Sequence, residues 1–417
     1  MKTKNDKPAL IPRLRFPEFQ NNGEWEVTNL GLVSDYENGK AHEQDIEDIG
    51  DFIVVNSKFI SSNGEVKKYT NTAFCPAQKG DILMVLSDVP NGKAIAKCFL
   101  VEENNRYTVN QRIGRIIPQS LNSKILYYLL NRNPYLLAFD DGVKQTNLRK
   151  EDVLNCPLLI PKNPKEQQKI ASCLSSLDEV IAGERQRLEL LKAHKKGLLQ
   201  NLFPREGETV PKLRFPEFKD SGEWEVTALS ELGYLINGLT YSPEDVREKG
   251  LLVLRSSNIQ DGLIDLKDCV YVRENIKGVN LIKPRDILVC VRNGSKDLIG
   301  KNAMIPEGIP LATHGAFMTI FRANNPEFVF QLFQTDYYDK QVRADLGATI
   351  NSINGKNFIK YKFPVPENPK EQQKIADCLS SLDDVIQAQQ QKIELLEQHK
   401  KGLLQGLFPN VNDVDNG

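Results

Sequence analysis

Two stretches of the chain place apolar residues at alternating steps of four and three. In the first, Ile170, Leu174, Leu177, Ile181, Leu188, Leu191, Leu198 and Leu202 hold one register, interrupted only by Glu184 and Lys195. In the second, Ile375, Leu379, Leu382, Ile386, Ile393, Leu396, Leu403 and Leu407 do the same, interrupted at Gln389 and Lys400. A sustained 3.5-residue period predicts coiled-coil packing. The starts are marked by Asn163-Pro164-Lys165-Glu166 and Asn368-Pro369-Lys370-Glu371, each an N-cap Asn, a proline at the first helical position and a Glu at the third. Phe203-Pro204 and Phe408-Pro409 mark the stops. Each helix is predicted to run about 35 residues, or roughly 50 Å. An amphipathic helix lying on its own domain is the alternative, and the narrow stripe and the length speak against it. Two matching stripes can cover each other, and the pattern permits either a parallel or an antiparallel pair.

The helices belong to a duplication. Pro12–Leu30 and Pro211–Leu229 agree at 14 of 19 positions, and Asn163–Pro204 and Asn368–Pro409 at 31 of 42. The segments between these borders, Gly31–Lys162 and Ser230–Glu367, share little. This frame predicts a first domain at 12–162, a first helix at 163–204, a second domain at 211–367 and a second helix at 368–409. Inside the inserts, Ile82–Leu86 and Ile287–Val291 are short apolar runs suited to buried strands, and each follows an aspartate, Asp81 or Asp286. These aspartates lie 286 − 81 = 205 residues apart, as do Gly142 and Gly347, whereas the front borders differ by 211 − 12 = 199. One mixed α/β fold is therefore expected twice, with six additional residues near the start of the second insert.

Composition changes this picture little. The hydrophobic and charged fractions, 40% and 26%, are those of an ordinary soluble protein. The net charge of −1 offers no support for nucleic acid, although a neutral total can hide basic faces. Seven cysteines without a C-x-x-C pair predict reduced thiols. The N-terminus has lysines but no apolar core of a signal peptide, and no run of about 18 apolar residues occurs, so a cytoplasmic protein is expected.

Catalytic signatures are lacking. There is no phosphate-binding G-x-x-x-x-G-K-[ST] loop, no Asn/Asp-Pro-Pro-aromatic tetrad of an adenine methylase and no histidine pair at metal-ligand spacing. Ser242-Pro243-Glu244-Asp245 reads as a turn into a helix. Polar loops remain. Lys144, Gln145, Thr146, Asn147 and Arg149 combine amides suited to adenine edges with cations suited to guanine or phosphate. Arg292, Asn293, Ser295 and Lys296 surround Gly294, where Asn-Gly also fits a hairpin turn. Arg255, Asn258, Thr349, Asn351 and Ser352 are further candidates; exposed residues of these types are also ordinary solvated loop residues.

Two LRFPEF…WE borders, two divergent inserts and two N-P-K-E-Q-Q-K-I-A…LLQ-x-LFP helices together resemble the specificity subunit of a type I restriction–modification enzyme. The resemblance covers about residues 10–410. It implies an α+β architecture: two mixed α/β target-recognition domains separated by an antiparallel two-helix coiled coil, with a pseudo-two-fold internal repeat. It also implies a non-catalytic subunit that recognises a bipartite, asymmetric double-stranded DNA site. Two methylase subunits and restriction/motor subunits would be its partners. Those partners, not this chain, would use S-adenosylmethionine, ATP and Mg2+. The Lys144–Arg149 and Thr349–Ser352 loops fall where family members carry a DNA-facing loop. The residues alone leave a second reading open, a coiled-coil scaffold whose duplicated modules bind two proteins and no DNA.

Overall fold

A computed structural model describes residues 10–89, 92–346 and 351–409. The chain divides into two compact units, Met1–Glu184 with Lys392–Gly417, and Arg185–Gln391. The division cuts both long helices, which span Pro164–Leu202 and Pro369–Leu407 at 39 residues each. Both units are mixed α/β.

Each unit repeats one four-stranded sheet. In the first, the antiparallel order is Ser34–Asn38, Ile113–Pro118, Ile82–Val85, Cys98–Leu100. In the second it is Gly233–Asn237, Met318–Ala323, Ile287–Cys290, Asn302–Met304. Each unit adds a second four-stranded sheet with one parallel pair, Phe52–Val55 beside Tyr107–Val109 and Leu251–Leu254 beside Ala312–His314. The predicted strands Ile82–Leu86 and Ile287–Val291 each end one residue early and are fully buried. Ile82, Met84 and Ile116 pack under Leu126 and Leu130 in the first unit, and Ile287, Val289 and Phe321 pack under Phe328 and Leu332 in the second.

The repeated aspartates have a shared task. Asp81 accepts the Gln78 N–H at 2.7 Å and the Arg115 Nε at 2.7 Å. Asp286 accepts the Lys283 N–H and two Arg322 nitrogens, all at 2.7 Å. Each carboxylate thus closes the turn before the buried strand and ties it to the neighbouring one. The Asp286 carboxylate holds the Arg322 guanidinium above its usual range.

Register shows where the inserts differ in length. Phe52 pairs with Thr70 and Leu251 with Val272, offsets of 251 − 52 = 199 and 272 − 70 = 202. Beyond the next loop the offset is 287 − 82 = 205. The six additional residues are therefore split, three on each side of the strand Val270–Val272, and do not sit at the start of the insert as expected.

The border sequences close on the helix starts. Arg15 donates through Nε and Nη2 to the two carboxylate oxygens of Glu166 at 2.8 and 2.9 Å, and Trp25 Nε1 reaches Glu166 at 3.3 Å. Arg214, Trp224 and Glu371 repeat this at 2.7, 2.8 and 3.3 Å. Glu166 and Glu371 are each 1% exposed. The Asn caps form as predicted, Asn163 Oδ1 accepting the Lys165 N–H at 2.9 Å and Asn368 Oδ1 the Lys370 N–H at 3.0 Å. The glutamates do not complete a capping box, because their carboxylates are spent on this arginine–tryptophan pair. Part of what the borders conserve between the repeats is thus an internal clamp.

Within each unit the two long helices meet. In the first unit Asp178 pairs with Lys400 at 2.5 Å and Glu184 with Lys392 at 2.6 Å, so one helix descends as the other ascends. In the second unit Lys195 pairs with Asp383 at 2.5 Å. Every apolar position of the two stripes is buried or half-buried. The interruptions Glu184, Lys195 and Lys400 each carry a charge pair between the helices, and Gln389 is buried. A polar residue in an apolar seam fixes register at some cost in stability. Tyr128 donates to Asp178 at 2.7 Å and Gln331 to Asp383 at 3.2 Å, tying each insert to the same pairs. All seven cysteines are free.

Candidate nucleic-acid interface

The end of the buried strand carries the candidate surface. In the first unit Ser87–Asp88 continues from Ile82–Val85 and pairs antiparallel with Thr146–Asn147, aligning Asn147 with Ser87. Asp88 accepts the N–H groups of Ala94 and Ile95 at 2.7 and 3.1 Å. Asp141 accepts from the N–H groups of Lys144 and Val143, and these bonds hold its carboxyl below the usual range. That turn presents Lys144, Gln145, Asn147 and Arg149, all exposed. Gln145 Nε2 donates to Ser87 Oγ at 2.8 Å, so its amide is held on the strand edge. Thr146 is different from the expectation. It is buried, and its hydroxyl donates to Asp140 at 2.9 Å, because strand alternation turns it inward between two outward amides.

The second unit builds the same edge from three distant segments. Arg292 bridges Ser352, and the Ile353 N–H donates to the Val291 carbonyl at 2.8 Å. Asn351 Nδ2 reaches the Gly294 carbonyl at 3.3 Å, and Asn293 Nδ2 reaches Ser256 Oγ at 3.0 Å. Ser295 donates its N–H to Asn293 Oδ1 at 3.0 Å, and Lys296 opens a short 3-10 turn with an exposed side chain. Asn293-Gly294 does not form a two-residue hairpin turn; it lies within the longer connection between Ile287–Cys290 and Asn302–Met304. Arg255 pairs with Asp268 at 2.8 Å. Asn258 is a correction. It is fully buried, its amide donates to the Asp265 and Asp268 carbonyls at 2.9 Å each, and its oxygen accepts the Arg255 N–H at 2.8 Å. With every polar group spent on backbone, it holds the loop and cannot reach a ligand. Thr349 lies outside the described residues.

The edge includes two residues that residue type alone did not single out, Arg112 and Phe317. Each is exposed at the turn entering the central strand. The two units also differ beside it. In the second, Leu235, Asn237, Gly238, Val291, Thr319 and Ile353 line a cleft of about 280 Å³. In the first, Tyr36 stands at the Leu235 position (235 − 36 = 199), hydrogen-bonds Asn38 at 2.7 Å and has its phenol pushed up to about 12 by burial. Gly39 and Gly238 are required at this edge, since a Cβ would lie 2.0 and 2.1 Å from the carbonyl oxygens of Asn110 and Gly315.

Among the described residues no group of His, Cys, Asp or Glu could hold a metal ion, and no helix is long and apolar enough to cross a membrane. What the site offers is two outward sets of amides, hydroxyls and cations on one repeated backbone frame.

Comparison with known proteins identifies that frame. The model of the type I restriction modification DNA specificity domain matches twice, at residues 22–193 and 221–398. The chain belongs to this family. It is similar to the type I restriction enzyme MjaVIII specificity subunit of Methanocaldococcus jannaschii, with 24% identity over 97% of this chain and 95% of that one. It is also similar to the EcoKI specificity subunit of Escherichia coli K12, with 29% identity over 44% of this chain and 41% of that one. The crystal structure of the type I restriction-modification S subunit from M. genitalium has the same fold, with a TM-score of 0.65 and 18% identity over 96% of this chain and all of that one.

The amides and the lysine of the first edge can be told apart by experiment. Gln145→Ala is expected to weaken binding to a cognate half-site by about 1–3 kcal/mol if the amide bridges a base. Lys144→Ala is expected to weaken all duplexes alike and to lower the salt dependence. Titration of cognate and scrambled duplexes at two salt concentrations measures both, and wild-type behaviour of both variants would move recognition elsewhere.

Proposed function

We propose that this chain is the sequence-specific DNA-binding subunit of a type I restriction–modification complex. In this reading, residues 12–162 and 211–367 are target-recognition domains, each reading one half of a bipartite, asymmetric site. Residues 163–204 and 368–409 form an antiparallel coiled coil that fixes the distance between them. The observation that carries the reading is one strand edge built twice from different residues: Lys144, Gln145 and Asn147 at Ser87 in one unit, Asn293, Asn351 and Ser352 at Arg292 in the other. A constant backbone bearing variable polar side chains suits two different base sequences.

The partners are two copies of one methylase subunit, joined by restriction/motor subunits; S-adenosylmethionine, ATP and Mg2+ act in those subunits. Support comes from apolar residues left exposed at matching repeat positions. Leu190 and Leu395 are both 65% exposed, and Val180 with Val385 and Val27 with Val226 are exposed pairs too. Identical outward apolar residues in both copies of the repeated frame fit two identical docking events. The near-neutral charge fits a division in which the partners supply much of the affinity for the phosphate backbone.

The test is an exchange of residues 31–162 for the insert of another family member, with co-expression of the methylase and sequencing of modified adenines. One half-site is expected to change while the other and the gap persist. A change in both halves would end the assignment of one insert to one half-site.

A further inference from the structure

We propose that Arg112 and Phe317 are specificity-determining residues, Arg112 for a guanine in one half-site and Phe317 for a thymine methyl in the other. The inference rests on the DNA-binding reading and adds residues to it.

The two occupy one slot, 317 − 112 = 205 residues apart. The Arg112 carbonyl accepts the Leu86 N–H at 3.0 Å; the Phe317 carbonyl accepts those of Val291 and Arg292 at 3.0 and 3.1 Å. Each is also the third residue of a closed turn, Ile113 N–H to Asn110 oxygen and Met318 N–H to Gly315 oxygen, both at 2.9 Å. The backbone is therefore fixed from two sides, directly beside the Ser87–Asn147 and Arg292–Ser352 pairings. Only the side chain differs between the units, and it points into solvent.

The side chains suit contact, not support. Phe317 is 57% exposed, which leaves apolar surface in water that a ligand could cover. The Arg292 guanidinium lies 5.6 Å from its ring centre and charges one face of it. Arg112 is exposed and has no side-chain hydrogen bond or ion pair among the described residues. Arginine reaches the O6 and N7 of guanine together, and an aromatic ring packs on the C5-methyl of thymine. A rigid backbone slot, an exposed side chain and a change of residue type between the two recognition units are what a base-reading position requires.

The test uses the full chain with its methylase partner and the duplex that the wild type selects from a random library. Each thymine is replaced singly by deoxyuridine, and each guanine by 7-deazaguanine. Wild type is expected to bind about fourfold more weakly at one deoxyuridine position, the worth of one buried methyl. Phe317→Ala should be insensitive there, and Phe317→Leu should keep part of the discrimination. Arg112→Ala should likewise abolish a loss of about tenfold at one 7-deazaguanine. Variants that keep the full wild-type sensitivity at every position overturn the proposal, as does a Phe317→Ala loss equal on thymine and uracil. If the wild type selects no site at all, the DNA-binding reading itself falls.

Discussion

Replacing Glu371 with alanine is expected to destabilise the second unit by about 3–5 kcal/mol, the usual effect of removing one partner from a buried charge pair. Glu371 is 1% exposed and takes both an arginine and a tryptophan N–H. Its loss strands the Arg214 guanidinium, whose side chain is 6% exposed, and whose proton Glu371 now holds above the usual range. The second contact of that guanidinium, to the Gly222 carbonyl at 2.6 Å, does not neutralise it. Glu166→Ala should do the same to the first unit. The chain's two tryptophans, Trp25 and Trp224, each sit in one clamp, so each reports on its own unit. Urea unfolding followed by fluorescence, in variants that keep one tryptophan, separates the two transitions. Changing Arg214 to methionine together with Glu371 to leucine should recover much of the loss, because no charge is then left buried. A shift below about 1 kcal/mol for Glu371→Ala would mean that water reaches the guanidinium and that the clamp contributes little.

The clamp also marks a limit of reading the chain. Arg15, Trp25 and Glu166 are spelt identically in the second copy, and that identity reads equally well as a docking surface for a partner. Their meeting spans 151 residues of sequence, which no local pattern records. The long helices were legible because a 3.5-residue stripe, an Asn-Pro start and a Phe-Pro stop are local signals. Their mutual direction was not, since either direction covers the stripe. It emerges from Asp178 with Lys400 and Glu184 with Lys392, pairs that each bring one residue outside the stripe to one of its interruptions. Many strands of the inserts have two to four residues, too short for alternation to register, so only the continuous apolar runs behind Asp81 and Asp286 stood out. In the candidate interface, residue type picked out polar loops but could not say which of their members face outward. Thr146 and Asn258 are polar and buried, and Arg112 and Phe317 lie outside the polar clusters altogether. Only the 205-residue offset pairs Arg112 with Phe317, a change of chemistry at a turn closed the same way in both units.

The duplication leads to the other large expected effect, a symmetric protein made from half of this one. Residues 1–205 contain one border, one insert and one complete helix. In the intact first unit the helix up to Glu184 lies against Lys392–Pro409. Subtracting 205 shows what a second copy of the fragment would bring there. Arg187 would replace Lys392 opposite Glu184, and Lys195 would replace Lys400 opposite Asp178. Leu202 and Phe203 would replace Leu407 and Phe408 near Trp25, a substitution already realised in the second unit, where Phe203 meets Trp224 at 5.9 Å. Asn201 would replace Gly406, whose carbonyl accepts the Leu14 N–H; in the second unit Asn201 accepts from Leu213 in the same way at 2.8 Å. Each charge pair and each apolar contact therefore has a stand-in, and leaving the stripe uncovered in water is costly. The fragment is expected to form a two-fold homodimer in which both inserts are identical. Its preferred DNA should be an inverted repeat of the first half-site at the native gap. Sedimentation and selection from a random duplex library test the two parts separately. A well-folded monomer would refute the packing argument, and a dimer that still chose the asymmetric site would refute the assignment of each insert to its own half-site.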